Sequence, residues 1–478
     1  MGCKECTARL RSQYPAPMTQ SPTAPRKALL LAFSIVFLDM IGFSVLFPLF
    51  PSLLEHYVTN EGPDSLVGQL SHWLSGLAAG ADGGVEDMAL YAFFGGILGS
   101  LYSVLQFLFA PYWGSLSDTR GRRPVLLLTL GGTVLSYVVW FFAGPFWLLI
   151  VARLVGGIMA GNISTATAVV ADVTDGANRA KGMGMIGAGI GLGFVLGPAL
   201  GGLTAGWDLT KSLPGLVPYG LNPFSGCALV ALVISLMNFI VALRFLPETL
   251  PPHLRGANAK TRTLHPFKAL KSIDNPSLRR TNLAYFSYLL AFAAMEFTLA
   301  FMTTSRLDFK PMDNAYMFIF VGLTIALVQG GLVRRLSPIL GEGKLGRSGI
   351  MLTVPGFLLV GLTHSVGQLY LGLAFLAVGS AFVMPSLSAL ASRLSPRESQ
   401  GFSLGIFRSM GSAARAAGPI LGGALFFSWA SEAPYLLGAV FLFIPLLLLR
   451  GVSAPKDVGA RLPAKPGSPE PTPRQSEP

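Results

Sequence analysis

The chain has 478 residues, of which 52% are hydrophobic and 12% charged, about half the charged share of an ordinary soluble domain. That composition excludes a soluble globular protein. The formal net charge of +12 is not read as a nucleic-acid footprint, because the basic residues are sorted by position along the chain rather than gathered into one patch.

Apolar stretches long enough to cross a bilayer core as helices recur from end to end. In chain order, about twelve spans are predicted: 28–54, 90–112, 124–144, 146–170, 181–205, 226–246, 281–303, 314–333, 349–366, 368–391, 401–428 and 433–450. The runs are too long and too uniformly apolar for barrel strands, so the expected class is an all-α integral membrane protein. With both termini placed in the cytoplasm, 29 of the 35 Lys and Arg residues fall on that side and only Lys211, Arg306 and Lys310 fall outside. This is the positive-inside bias. Cys3, Cys6 and Cys227 imply no disulfide framework. The opening Met1-Gly2-Cys3 lacks the Ser or Thr at position 6 of an acylation signal. The sequon Asn162-Ile163-Ser164 lies inside a span and is discounted as a glycosylation site.

Residues 1–27 form a basic tail. The first span then carries Asp39 in an otherwise uncharged run, 28–54. An ionised carboxylate at membrane depth is costly unless it faces a cavity or a partner, and such residues mark ion and substrate paths. An outer connection of about 55–88 follows, acidic (Glu55, Glu61, Asp64, Asp82, Glu86, Asp87) and without Lys or Arg, with a short surface helix expected at 73–78. Between spans two and three, Gly114-x-x-x-Asp118-x-Arg120-Gly121-Arg122-Arg123-Pro124 packs a carboxylate, three arginines and a chain-reversing glycine into a short turn. Asp118 suits a helix N-terminus, and Arg122 and Arg123 suit carboxylates across an interface between halves. Arg153, in span four, needs a partner: Asp39 or helix carbonyls.

Span five contains Gly184, then Gly193-x-x-x-Gly197-Pro198-x-x-Gly201-Gly202. Span eleven repeats the pattern as Ala414-x-x-x-Gly418-Pro419-x-x-Gly422-Gly423. Small residues let helices approach closely in lipid, and proline permits bending. Asp39 in span one is answered by Glu296 in span seven. The chain therefore divides at the basic connection 247–280 into six-helix halves, 28–246 and 281–450. A Pro-rich tail, 451–478, follows and is expected to be disordered, with seven prolines in 28 residues. Such duplication fits transporters with a midplane site between two bundles. On span eleven, Arg408 and Arg415 share one helical face. Arg408 is expected to meet the Asp118 turn and Arg415 to bind an anionic substrate through its planar fork. Tyr102, Gln106, Tyr285, Tyr288 and Gln329 are the polar-tipped cavity candidates.

The 114–124 turn resembles the signature of the major facilitator superfamily. Leu149-x-x-x-Arg153-x-x-x-Gly157 resembles its second motif, and the glycine run from Gly184 to Gly202 its third, the one associated with exporters. Leu38-Asp39-x-x-Gly42-x5-Pro48-x-x-Pro51 resembles the first helix of tetracycline-type proton antiporters. Phe94-Gly95-Gly96 through Leu108, Ile319 through Gly330 and Arg408 through Pro419 are similar to the tetracycline-transporter-like branch. The resemblance covers roughly 28–450. It implies alternating access, proton coupling at Asp39 and Glu296, an Arg153 charge relay and export of organic anions. It departs at Thr119, where a basic residue usually stands, and at a second copy of the turn near Gly331-x-x-Arg334-Arg335, which has no matching Asp.

The function expected is a proton-coupled exporter of amphipathic organic ions, monomeric, in the plasma membrane or a bacterial cytoplasmic membrane. Its expected partners are the lipid bilayer, protons and the substrate, with no nucleic acid. An uncoupled facilitator or lipid transporter, and a non-transporting receptor or scaffold, are the alternatives. An enzyme is not expected: the five histidines are scattered, and no metal-ligand cluster, cofactor motif or phosphate-binding loop is present in the sequence.

Overall fold

The computed structural model describes residues 23–78, 87–174, 176–252, 255, 270–271, 273–395 and 400–452. Residues 1–22 and 453–478, half of the 247–280 connection and residues 79–86 of the first outer connection lie outside them. All regular structure among the described residues is helical. The first crossing is α1 (Thr23–Ser44), a 3-10 turn at Phe47–Leu49 and α2 (Phe50–Asn60). Its helix therefore runs past the predicted end at 54. It is followed by α3 (Leu66–Ala78), a longer helix than the one expected at 73–78. Next come α4 (Asp87–Arg120), α5 (Arg122–Phe141), α6 (Phe146–Met159), α7 (Asn162–Val173), α8 (Gly176–Thr204) and α9 (Ser225–Phe245). Then follow α10 (Pro276–Leu307), α11 (Pro311–Leu327), a π-helical turn at Val328–Val333, α12 (Arg334–Leu340), α13 (Glu342–Gly361), α14 (Val366–Leu394), α15 (Gln400–Ser428), α16 (Ala433–Phe441) and α17 (Phe443–Leu448).

Nine helical stretches among the described residues are long and apolar enough to cross a membrane. The other three expected crossings are α13, which carries Glu342, Lys344 and Arg347, α15, which carries Arg408 and Arg415, and the α16–α17 pair, interrupted at Leu442. Charge and shortness lower their hydropathy; packing still sets each beside the helices that match its place in the repeat. The fourth crossing, predicted as one helix, is broken at Ala160–Gly161 between α6 and α7.

The packing repeats. In the first part of the chain α1 lies on α8, α4 on α6, and α5 on α6 and α9; in the second, α10 lies on α15, α11 on α14, and α13 on α14 and α16. The two sets meet along α4–α15 and α8–α11. The glycine runs explain how. A Cβ at Gly197 would strike Ser44 and the Ile41 carbonyl, and one at Gly418 or Gly422 would press on Ala293 or Ala294. The last glycine of each run faces the other way. Gly202 rests against Pro311 and Ala315 of α11, and a Cβ at Gly423 would lie 2.6 Å from the Ala92 carbonyl oxygen of α4. Gly184 is a correction: it is exposed, with nothing within 4 Å of its Cβ position, and has no packing role here. Pro198 and Pro419 sit inside helices that continue through them.

These contacts lie at the end of the bundle opposite the chain termini. Phe93 stacks on Phe427, Phe50 meets Phe297 edge-on, and the Ile420 N–H donates to Ser100 Oγ at 3.1 Å. The two sets are closed on one another at the far end. Toward the termini Gly187 and Gly191 of α8, Gly330 and Gly331 of the π turn, and Gly405 of α15 have nothing within 4 Å of their Cβ positions, and the two sets touch through Arg408 of α15 with Thr167 of α7 and Met183 of α8.

At the closed far end an ion pair ties crossings within the second half. Arg306, at the end of α10, pairs with Glu432 and donates to the Gly361 carbonyl at 3.0 Å. Burial alone would push the Glu432 carboxyl up, but its own backbone hydrogen bond and the Arg306 guanidinium outweigh it, and the net shift is down. The folded value lies below the unfolded one, so this stabilisation is present above the unfolded value and lost as pH falls through the folded one. Glu432→Gln should cost up to about 1 kcal/mol at neutral pH. It should cost nothing in strong acid, as read from thermal unfolding across pH.

Candidate functional site: a buried carboxylate pair and a lined pocket

Asp39 is on the buried face of α1, 6% exposed. Its Oδ1 accepts from Asn162 Nδ2 at 3.0 Å, at the first residue of α7. Its Oδ2 has no hydrogen-bond partner among the described residues, and neither has Asn162 Oδ1. Thr133 Oγ1 stands 3.5 Å from Asn162 Nδ2. Tyr102 and Tyr137 lie within Coulombic range of Asp39, and the Tyr137 hydroxyl packs on Gly42, one turn along from Asp39.

The expected Asp39–Arg153 pair is not formed. The Arg153 guanidinium sits over two rings, 5.4 Å from the centre of Trp140 and 6.0 Å from that of Tyr102, with no ion pair among the described residues. It is 6% exposed. Cation–π attraction compensates part of the lost hydration. Asn162 takes the place beside Asp39 that was expected for Arg153. The sequence offered one signal for it, an amide inside a membrane span, where polar side chains are rare.

A narrow gap with room for about one water in this conformation lies beside this cluster, lined by Met40, Phe43, Ser103, Gln106, Ile163, Ile190, Phe194 and Arg415. Met40 and Ile163 are the chain neighbours of Asp39 and Asn162, so the pocket and the carboxylate share a wall. Arg415 is brought in by α15 from the second half of the chain. Arg415 is also the charge within Coulombic range of Glu296 on α10, although the two form no ion pair. The remaining cavity candidates scatter. Tyr102 is buried against Phe43, with ring centres 4.6 Å apart. Tyr285 stacks on Phe407 at 3.9 Å and touches Gly411. Tyr288 is fully buried. Gln329 stands exposed on the π turn and does not line the pocket.

The 114–124 turn does not meet Arg408. Arg122 gathers the charges: its Nη1 bonds Asp118 Oδ1 and Ser117 Oγ, and its Nε bonds Asp172 Oδ2 at 2.9 Å. The Arg122 N–H donates to Glu248 Oε1 at 2.9 Å, and Arg123 Nη2 donates to the Leu243 carbonyl at 2.8 Å. Gly121 adopts a φ of 105°, and a Cβ there would strike Glu248. Gly114 supplies the carbonyl that Ser117 bonds. All these partners lie in the first half or, for Glu248, at the start of the 247–280 connection, so the arginines do not bridge the halves in this conformation. Arg408 instead crosses from α15 to Thr167 Oγ1 of α7 and Met183 Sδ of α8. In the second half, Gly341 (φ 76°) precedes Glu342, which pairs with Arg393 at 2.8 Å. This bridge joins the same two crossings as Arg122–Asp172 does in the first half, with the charges exchanged.

The model of the Major Facilitator Superfamily matches residues 32–342 and 335–474. The chain belongs to the major facilitator superfamily. It is 33% identical over 459 residues to the mouse protein called major facilitator superfamily domain-containing protein 10, covering 92% of this chain and 96% of that one. It is 28% identical over 431 residues to the class G tetracycline resistance protein of Vibrio anguillarum, 89% and 98% covered. Among solved structures it is similar to the crystal structure of the human organic anion transporter MFSD10 (TETRAN), with a TM-score of 0.72 and 34% identity, over 90% of this chain and all of that one. A bacterial homologue of the lysosomal transporter Spinster, 16% identical with a TM-score of 0.64 over 91% of this chain and 98% of that one, shares the fold. These superfamily relatives are transporters, not enzymes, and the chain is an integral membrane transporter.

Proposed function

We propose that this transporter is a proton-coupled exporter of amphipathic organic anions. The observation that carries the reading is Arg415: one guanidinium reaching from the second half into a pocket walled by Met40, Phe43, Ile163, Ile190 and Phe194. Such a site offers one charge to a carboxylate or similar group and apolar surface to the rest of the molecule. Two carboxylates flank it, Asp39 behind the pocket wall and Glu296 within range of Arg415. The kinship with a protein described as an organic anion transporter supports the substrate class.

In this reading the segments 28–246 and 281–450 rock as two bodies joined by 247–280, and both termini face the cytoplasm. The end bearing the termini is then the cytoplasmic one, where substrate enters; protons arriving from outside load Asp39 and Glu296 and drive the return. The protein acts as a monomer in the plasma membrane, or in the cytoplasmic membrane of a bacterium. The test is proton movement in proteoliposomes holding an interior pH dye, challenged with a panel of organic anions and lipophilic cations. Anions should trigger a pH change in the wild type, and Asp39→Asn should lose it while still folding. A pH change that persists unaltered in the mutant removes Asp39 from the coupling. No response to any compound in folded protein removes the coupling altogether.

A further inference from the structure

We propose that Asn162 completes the proton site: the acid form of Asp39 is held by the Asn162 carboxamide through two hydrogen bonds, one of which is lost when Asp39 ionises. The proposal rests on the proton-coupled reading above and adds to it the residue that distinguishes the two protonation states.

The argument begins from unpaired atoms. Asn162 Nδ2 already donates to Asp39 Oδ1 at 3.0 Å. Asp39 Oδ2 and Asn162 Oδ1 are both buried without a partner, and both are acceptors when Asp39 is ionised. Two orphaned acceptors on two side chains joined by one bond need a single hydrogen between them. A proton on Asp39 Oδ2 supplies it, because a carboxylic acid and a primary amide present matching donor and acceptor edges. The proton leaves no other buried oxygen of the pair unserved.

Removing the proton leaves Asp39 Oδ2 and Asn162 Oδ1, both acceptors, with no hydrogen between them. Thr133, the nearest hydroxyl to Asn162, donates to the Thr129 carbonyl at 3.0 Å. The titratable groups within Coulombic range of Asp39 are Tyr102 from α4 and Tyr137 from α5; Arg153 of α6 is held over the Tyr102 and Trp140 rings.

Asn162 and Arg153 stand on opposite sides of the break in the fourth crossing, at Ala160–Gly161. Trp113 of α4 braces the break. Its Nε1 donates to the Ile158 carbonyl at 2.6 Å, and its ring lies where a Gly161 side chain would be. Gain or loss of the second hydrogen bond to Asn162, the first residue after this joint, changes the force across it, so one proton on Asp39 bears on the bend of α6 against α7.

Acid-minus-base infrared difference spectra of the purified full-length protein test this without any transported substrate. The band to follow is the carboxyl C=O stretch that Asp39→Asn abolishes. In Asn162→Ala it should move to higher frequency, because the carbonyl loses its donor, and Asn162→Gln should return it toward the wild-type position. Should Asn162→Ala not fold, Asn162→Ser keeps one donor and should shift the band less, in the same direction. A band unmoved by loss of the amide overturns the proposal and leaves Asn162 a packing residue, with proton coupling at Asp39 intact. If no band depends on Asp39 at any pH, the carboxyl does not titrate, and proton coupling at Asp39 falls with the proposal.

Discussion

Gly423→Val should turn the transporter toward opening at the far end. A Cβ at Gly423 would lie 2.6 Å from the Ala92 carbonyl oxygen, and at Gly96, across the same α4–α15 contact, 2.5 Å from the Pro419 carbonyl oxygen. Both obstacles are backbone and cannot swing aside. Overpacking of this kind costs about 1–3 kcal/mol, and the cost is incurred only while the far end is shut. Since about 1.4 kcal/mol is a tenfold change in an equilibrium, the far-open population should rise roughly 10- to 100-fold. The measurement is labelling of Ile190→Cys, a pocket residue, by a membrane-impermeant thiol reagent added from each side, in a chain with Cys3 and Cys6 replaced. Labelling from the far side should appear in Gly423→Val and Gly96→Val. Gly405→Val, whose Cβ meets nothing within 4 Å, should behave as wild type. Unchanged labelling in folded Gly423→Val would show that the α4–α15 contact is not the seal.

Arg122→Gln should be the most destabilising single change at the end bearing the termini. It removes the guanidinium that joins the ends of three crossings through Asp118 and Asp172, while the backbone N–H bond to Glu248 survives. Breaking a fully buried ion pair costs about 3–5 kcal/mol. The carboxylates here are about one-fifth exposed, so about 2 kcal/mol is expected. The exchanged pair of the second half is a built-in comparison. Arg393 is 38% exposed, and Glu342→Gln should cost less than about 1 kcal/mol. Thermal unfolding in detergent should rank the two variants in that order; equal losses would mean that the cluster around Arg122 adds nothing to a simple surface pair.

Most of the architecture was legible because a bilayer imposes one period and one length on every crossing. Nine spans announce themselves by hydropathy, and the internal repeat of the glycine runs recovers the crossings that α13 and α15 blur with charge. The repeat also carried meaning beyond packing. The last glycine of each run turns to the other half, a direction that follows from helical geometry once both partners are placed. Partner choice was not legible. Asp39 and Asn162 are 123 residues apart, and no periodicity ties them. Arg153 was the reasonable candidate by charge, yet ring faces hold it. The second latch was missed because the search was for an Asp, whereas the bridge there is Glu342 to Arg393 with the signs reversed. Arg408 points along the face expected of it but meets a hydroxyl and a thioether, because the Asp118 carboxylate is already taken by Arg122.

The chemistry of the closed end sets how tightly the membrane holds its charge. Its cross-half contacts are glycine on carbonyl, ring on ring and one hydroxyl whose bond is already made to the Ile420 amide. A chain of water molecules needs polar partners along its length, and this layer offers almost none. In this conformation the layer is a dry barrier, and a cell filled with thousands of idle copies of this transporter would lose little of its membrane potential through them.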